Sequence, residues 1–331
     1  YQVILLLLSK YHDIDMSLST LNRRLKENNL RRNGWQDINM VDLERIIRRE
    51  RDGPGLICGY RSMWHTLRIK HSIFVPQRTI EVLLQQIDPE GVEERKRHNL
   101  KRRQYISPGP SFCWHADGYN KLKPYGFRIH GAIDGYSRRV MWHVVSRKNN
   151  DPTFISKLYL DCIKETEGCP KLLTTDCGTE NGTMAVIQCF LRSQGEDDLA
   201  EGNAHQYVPS TGNQRIEAWW SYLRRGRYTW WINFFKDMVS RGTLLLGSKV
   251  HDEFDWFCFA EVILHVLDFV LIYCNTHYIR ESRHDTIPGR PDKLLFLPEL
   301  CTAVNHLQPV DDVKVEELQN RYSIPVDSTK K

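Results

Sequence analysis

The 331-residue chain lacks the marks of a secreted or membrane protein. Nine cysteines, at 58, 113, 162, 169, 177, 189, 258, 274 and 301, include no CxxC pair, and their odd number argues against a complete disulfide framework. A reducing compartment, cytosol or nucleus, is expected. The apolar run at residues 3–8 is too short to cross a bilayer and has neither the basic start nor the small-residue cleavage site of a signal peptide. No membrane segment is expected. Zinc is not indicated either, because His65 and His71 have usable spacing but no Cys pair follows them. The chain opens at Tyr1 rather than Met, as expected of a fragment boundary or a processing point.

What is present is unevenly charged. Residues 1–110 carry 20 Lys and Arg against 13 Asp and Glu, a net +7, whereas the remainder carries 26 against 28. A basic front joined to a nearly neutral rear points to a front that holds a polyanion and a rear that performs chemistry.

The front reads as short helices. Ser17 or Ser19 caps a helix with apolar positions Leu18, Leu21 and Leu25, which places Arg23 and Arg24 on the solvent side. A second helix follows Asn39, with Val41, Leu43, Ile46 and Ile47 as its apolar face, and DGPG at 52–55 ends it. A helix, a turn at Lys70 and His71, and a further helix from Pro76 repeat the pattern. Two helix-turn-helix-like units are therefore expected, at 1–50 and 51–106, with Arg23, Arg24, Gln77, Arg78 and Thr79 facing DNA. A helical bundle with solvated arginines is the alternative. The second unit ends in a basic connector, RKRHNLKRR at 95–103, whose Arg102 and Arg103 suit phosphate contacts.

From Phe112 the pattern becomes mixed α/β. FCWHAD reads as a strand, and FRIHGAID with RRVMWHVV as a hairpin turning at Gly135, Tyr136 and Ser137. Asp151 and Pro152 start a helix that Gly168 is expected to stop, followed by the strand KLLTTD. Next come a helix through Met184, Ile187, Gln188 and Leu191, a short strand HQYV, and a helix announced by Ser210, Gly212 and Asn213. This element order is that of an α/β ribonuclease H-like core: a mixed five-stranded sheet with flanking helices, here preceded by a small all-α region. The core is expected over 107–300 and a tail over 301–331. Residues 254–281 read as a long amphipathic to buried helix in which Phe257, Val262 and Leu264 supply apolar bulk, and partial disorder is expected from Asp311.

Three carboxylates stand in order in this region: Asp117 in WHADGYNKL, Asp176 in KLLTTDCGTENG and Glu217 in NQRIEAWW. The first two end strands and the third begins a helix. Converging carboxylates repel in a low dielectric and are tolerated only with a shared cation or with some of them protonated. Hard oxygen donors without organised Cys or His point to Mg2+ or Mn2+. Asp134 begins a hairpin turn and reads as a turn former rather than a ligand; Glu180 is a secondary candidate. Helical spacing from Glu217 brings Asn213, Gln214, Trp220, Ser221 and Arg224 onto or near its face. Asn213, Gln214 and Arg224 are placed to reach a DNA backbone, and Trp220 reads as core. His277 and Arg280 are open between DNA contact and structure.

The motifs WHADGYNKL, GFRIHGAIDGYSRRVMW, TTDCGTENG and NQRIEAWWSYLR resemble the catalytic core of retroviral integrases and related transposases, most closely integrase core domain proteins derived from eukaryotic transposable elements. Asp117, Asp176 and Glu217 match the family's D, D and E, with 40 residues between the last two, somewhat more than the commonest retroviral interval. The zinc-binding module of retroviral integrases is missing. The resemblance implies cleavage and joining of DNA strands by in-line attack of water or a 3′-hydroxyl on a phosphodiester, with Asp117 and Asp176 holding one metal ion and Asp117 and Glu217 a second. It also implies assembly as a homo-oligomer on DNA and, with RKRHNLKRR as an import signal, a nuclear location. No small-molecule substrate is implied. A domesticated descendant that binds DNA, RNA or protein without cutting, and a nuclease without strand transfer, are the other readings.

Overall fold

The structure, a computed structural model, describes the chain outside residues 29, 31–37, 54, 56–57, 97–104, 149, 210–211, 282–286 and 323–331; side chains at 93–96 and 226–227 also lie outside the described set. Arg102, Arg103 and Ser210 therefore fall outside the described residues. The chain divides into two compact units, Tyr1–Arg102 and Arg103–Lys331.

The first unit is helical: α1 (Gln2–His12), α2 (Leu18–Glu27), α3 (Met40–Arg51), α4 (Tyr60–Lys70), α5 (Gln77–Ile87) and α6 (Pro89–Lys96). Ser17 Oγ accepts from the Thr20 amide at 3.1 Å, so of the two expected cap candidates Ser17 serves, and Asn39 Oδ1 accepts from the Val41 amide at 2.9 Å, capping the helix expected to follow it. Leu43 and Ile47 of α3 share one core with Met63 and Leu67 of α4 and with Ile80, Leu83 and Leu84 of α5. The boundary expected at residue 50 thus falls inside a shared core. Val41, expected on the apolar face, is 72% exposed, because its position at the start of α3 lies away from α4 and α5.

The second unit is built on a five-stranded sheet ordered β3-β2-β1-β5-β6. Its strands are β1 (Cys113–Tyr119), β2 (Arg128–Asp134), β3 (Val140–Ser146), β5 (Leu172–Thr175) and β6 (His205–Tyr207). β1, β2 and β3 form an antiparallel meander, and β5 and β6 run parallel to β1. The short strands β4 (Gly168–Cys169) and β7 (Gln308–Pro309) pair separately. Together with its helices this is the ribonuclease H-like arrangement expected from the sequence.

One face of the sheet, through Trp114, Ala116, Ala132 and Trp142, packs on α7 (Pro152–Thr166), α8 (Gly182–Leu191) and α13 (Asp312–Tyr322). The strands are covered on the opposite face too, which is why they read as near-continuous apolar runs rather than alternating ones. Asp151 caps α7 by accepting from the Thr153 amide at 2.9 Å. The helix ends at Thr166, with Glu167 in the left-handed region at φ 56°, one residue before the expected stop at Gly168. The tail is not separate from the core: Val315 and Leu318 of α13 are buried against α7, so the disorder expected from Asp311 is corrected over 312–322.

α9 (Gln214–Leu223), a π-helical turn (Arg224–Tyr228) and α10 (Thr229–Ser240) lead to α11 (Lys249–Thr276). By length and composition α11 is long and apolar enough to cross a bilayer, a test that core helices also pass; Glu261 and Asp268 interrupt the run in sequence. The apolar stripe Ala260, Ile263, Leu267, Val270 and Cys274 is buried, together with Asp255, Tyr273 and Asn275. Phe257 (85% exposed), Val262 and Leu264 fall outside that stripe, contrary to the bulk assigned to them. At its end, Asn275 accepts from the Val140 amide at 2.8 Å and donates to the Val140 carbonyl at 3.1 Å, closing part of the edge of β3. α12 (Pro291–Phe296) follows, with Asp292 accepting from Arg139 at 3.0 Å.

Candidate active site

The face of the sheet opposite α7 presents His115, Asp117 and Tyr119 of β1, residues of one parity on one strand. α9 lies on β1 and β2 here, and Trp220 bridges the layers: its ring is 5.1 Å from that of Tyr119, and its Nε1 donates to Asp117 Oδ2 at 2.9 Å. Sequence periodicity places Trp220 in the core, and it is buried; its second role as a donor to Asp117 is visible only once β1 is set beneath α9. Asp176 follows directly on β5, next to β1, and its Oδ1 accepts from the Gly178 amide at 3.2 Å and from Asn181 Nδ2 at 2.7 Å. Glu217, half-buried, sits in the first turn of α9.

These three carboxyls feel one another. Burial first, then the charge of Asp176 and, more weakly, that of Glu217 push the Asp117 carboxyl up to about 7, despite the opposing hydrogen bond from Trp220. Glu217 is raised by burial and by Asp176, against Lys121. The fold therefore brings together the three residues picked from the sequence, at mutual electrostatic range. Among the described residues, however, no three Asp, Glu, His or Cys side chains form a ready-made metal-holding group. Asp117 turns one oxygen to Trp220 and Asp176 turns one to Gly178 and Asn181. The donors fit Mg2+ or Mn2+ in kind, being oxygen-only, partly buried and mutually repelling.

Asn213 is not the exposed backbone contact expected of it. It is 1% exposed, accepts from His115 Nδ1 at 2.7 Å and donates from Nδ2 to the Ala116 carbonyl at 3.1 Å. The partner that turns it inward lies 98 residues away in the chain, beyond any local pattern. Burial holds His115 down at about 4. Gln214 is half-buried and Arg224 exposed. Asp134 is fully buried, with Oδ1 accepting from the Ser111 amide and Oδ2 from the Ser137 amide and hydroxyl, each at 2.7 Å, which agrees with a turn role. Glu180 lies in the turn Thr179–Asn181, where Asn181, not Glu180, holds Asp176. His277 stacks between Tyr222 and Tyr273, a structural placement.

In the helical unit, Arg23, Arg24, Gln77 and Arg78 are all exposed. Arg23 and Arg24 lie 3.9 and 3.6 Å from Glu27, and Arg78 donates to Glu81 at 2.8 Å. Such exposed pairs are weak and leave the arginines able to exchange partners.

No curated protein matches the chain. Among solved structures 29 chains match; one, in the cryo-EM structure of the simian T-cell lymphotropic virus intasome in complex with PP2A regulatory subunit B56 gamma, covers 84% of this chain and 81% of its own at 15% identity and a TM-score of 0.35, a likeness too distant to transfer detail. A family model described as integrase core domain matches residues 104–296, which takes in the whole five-stranded sheet, Asp117, Asp176 and Glu217. With more than half its length matched, the chain belongs to the integrase core domain family.

Proposed function

We propose that this protein is a DNA-acting polynucleotidyl transferase that cleaves and joins strands by in-line attack on a phosphodiester, with Asp117, Asp176 and Glu217 as its catalytic carboxylates. The observation that carries the reading is the mutual repulsion of these three buried or half-buried acids, which, among the described residues, no basic side chain is seated to relieve at Asp117. Such a site gains from a divalent cation. Asp117 and Asp176 would hold one Mg2+ or Mn2+, and Asp117 with Glu217 a second. Bound there, the cations would supply charge stabilisation at the attacking and leaving oxygens. The protein's own part is orientation: Trp220 holds one oxygen of Asp117, the Gly118 amide bonds to the same carboxyl, and Asn181 with the Gly178 amide holds one oxygen of Asp176. DNA is the partner, engaged by Arg23, Arg24, Gln77 and Arg78 of the helical unit, by Arg102 and Arg103 of the connector, and by Gln214 and Arg224 beside the carboxylates. A homo-oligomer on DNA and a nuclear location complete the reading.

The second reading, a nucleic-acid-binding descendant that no longer cuts, draws on the lack of a preassembled metal group among the described residues. A strand-transfer assay in Mn2+ on the parent and Glu217→Gln separates the two. Joined product from the parent alone supports the transferase, nicking without joining a nuclease, and neither the binding protein.

A further inference from the structure

A chain of buried polar contacts runs beside the three carboxylates. Tyr105 and His115 Nε2 are 2.7 Å apart, His115 Nδ1 and Asn213 Oδ1 2.7 Å, and Asn213 Nδ2 and the Ala116 carbonyl 3.1 Å. Directions follow from chemistry. A backbone carbonyl only accepts, so the Asn213 amide donates to Ala116 and presents its oxygen to the ring, and Nδ1 must carry the proton. In the neutral ring Nε2 then accepts from the Tyr105 hydroxyl. Cys113 Sγ, 3.5 Å from Nε2 and 3.2 Å from Thr174 Oγ1, continues the contacts to β5, the strand that leads to Asp176. Arg215 lies over the Tyr105 ring at 4.2 Å and closes the outer end.

The register makes this chain more than packing. His115 precedes Asp117 by two residues on β1, and Asn213 precedes Glu217 by four at the start of α9, with the Glu217 amide donating to the Asn213 carbonyl at 3.2 Å. Two residues of strand and four of helix advance by similar lengths, about 6 to 7 Å. α9 and β1 run the same way, since Asn213 meets Ala116 while Trp220 meets Asp117 and Tyr119. Fixing His115 against Asn213 therefore fixes Asp117 against Glu217 one step further on. An apolar contact would hold the layers together but let them slide; directional bonds between buried groups select a single register.

Building on the function proposed above, we infer that His115, Asn213 and Tyr105 are positioning residues for the Asp117–Glu217 pair, with His115 acting in its Nδ1–H tautomer as the link between β1 and α9. None of the three touches DNA.

The test compares the full-length parent with His115→Leu, His115→Asn, Asn213→Ala and Tyr105→Phe, reading Mn2+ affinity by electron paramagnetic resonance, kcat and KM for DNA cleavage, and the melting temperature. His115→Leu and Asn213→Ala are expected to lower Mn2+ affinity and kcat by about 10- to 100-fold with KM for DNA unchanged, as outer partners of metal ligands do. The double variant loses no more than either single one, because both break one link. His115→Asn, which restores an N–H near the place of Nδ1, recovers most of the loss. Tyr105→Phe removes one hydroxyl, serves if the larger changes do not fold, and is expected to lower Mn2+ affinity several-fold. Variants that melt lower yet keep the parent's Mn2+ affinity and kcat overturn the inference. A parent that neither binds Mn2+ nor cleaves DNA overturns the function itself.

Discussion

Gly131 on β2 lies directly across the antiparallel ladder from Asp117 on β1, and the missing side chain at 131 makes room for the indoles of Trp219 and Trp220. A Cβ there would stand 2.9 Å from Trp219 Cζ3, 3.1 Å from Trp220 Cη2 and 3.2 Å from the Trp142 carbonyl oxygen. Two of these neighbours are parts of rigid rings packed in the core and the third is backbone, so none yields cheaply. Gly131→Ala is expected to destabilise the fold by about 1–3 kcal/mol, an overpacking cost, and to displace the Trp220 donor from Asp117. Urea denaturation measures the first effect, and Mn2+ affinity the second.

Trp220→Phe keeps a ring on α9 but removes the indole donor to Asp117. Above about pH 7, where Asp117 is ionised, the expected loss of stability is about 1.5–3 kcal/mol, the range for a hydrogen bond to a charged acceptor. Because that bond lowers the Asp117 carboxyl, its removal raises the group further above about 7. A carbon-detected NMR titration of the Asp117 carboxyl follows the shift, and an unchanged midpoint would show that the indole is not a partner in solution.

Asp117 also sets a pH dependence. Its folded carboxyl keeps a proton up to about pH 7, whereas an unfolded aspartate loses it near about 3.9. Between those values the folded state binds the extra proton, so in the absence of divalent metal this group's contribution to stability falls as pH rises from about 4 to about 7. Asp176→Asn removes the largest charge acting on it and flattens the slope. Mg2+ competes with the proton, so it raises the melting temperature more at pH 8 than at pH 5.5, and binding below pH 7 releases protons that calorimetry in two buffers detects.

A second titration belongs to the helical unit. Burial alone would raise the Glu50 carboxyl, but hydrogen bonds from Lys70 (2.7 Å) and His71 (3.0 Å), with their charges, together bring it below its ordinary value. A depressed acid stabilises the folded state above its unfolded pKa, and that contribution disappears as pH falls through the folded one. Amide exchange in α3 and α4 is therefore expected to speed up as pH drops below about 4, beyond the intrinsic pH effect, and Glu50→Gln removes this excess.

Much of this was legible before the fold was known, for physical reasons that can be named. The caps at Ser17, Asn39 and Asp151 are local chemistry, and the β1–β3 meander is announced by dense apolar runs around one turn. The order and neighbours of Asp117, Asp176 and Glu217 point to their convergence. Asn213 shows where such reading stops: helical spacing puts it beside Glu217, but only the meeting with His115 across the sheet determines that it faces inward. Phe257 and Leu264 look like core in an apolar sequence because the narrow stripe α11 buries is selected by β3, not by composition. β4 and β7 are two-residue strands paired across some 140 positions, too short to carry a periodicity of their own.

The convergence of Asp117, Asp176 and Glu217 is tested most directly by anomalous diffraction from crystals of the full chain soaked in Mn2+. The expected result is an anomalous peak within coordinating distance of the Asp117 and Asp176 carboxylates, lost in Asp117→Asn, with Glu217 moving toward the ion. Ordered crystals with no Mn2+ beside these carboxylates at saturating concentration, or with the ion held by other residues, would contradict the account.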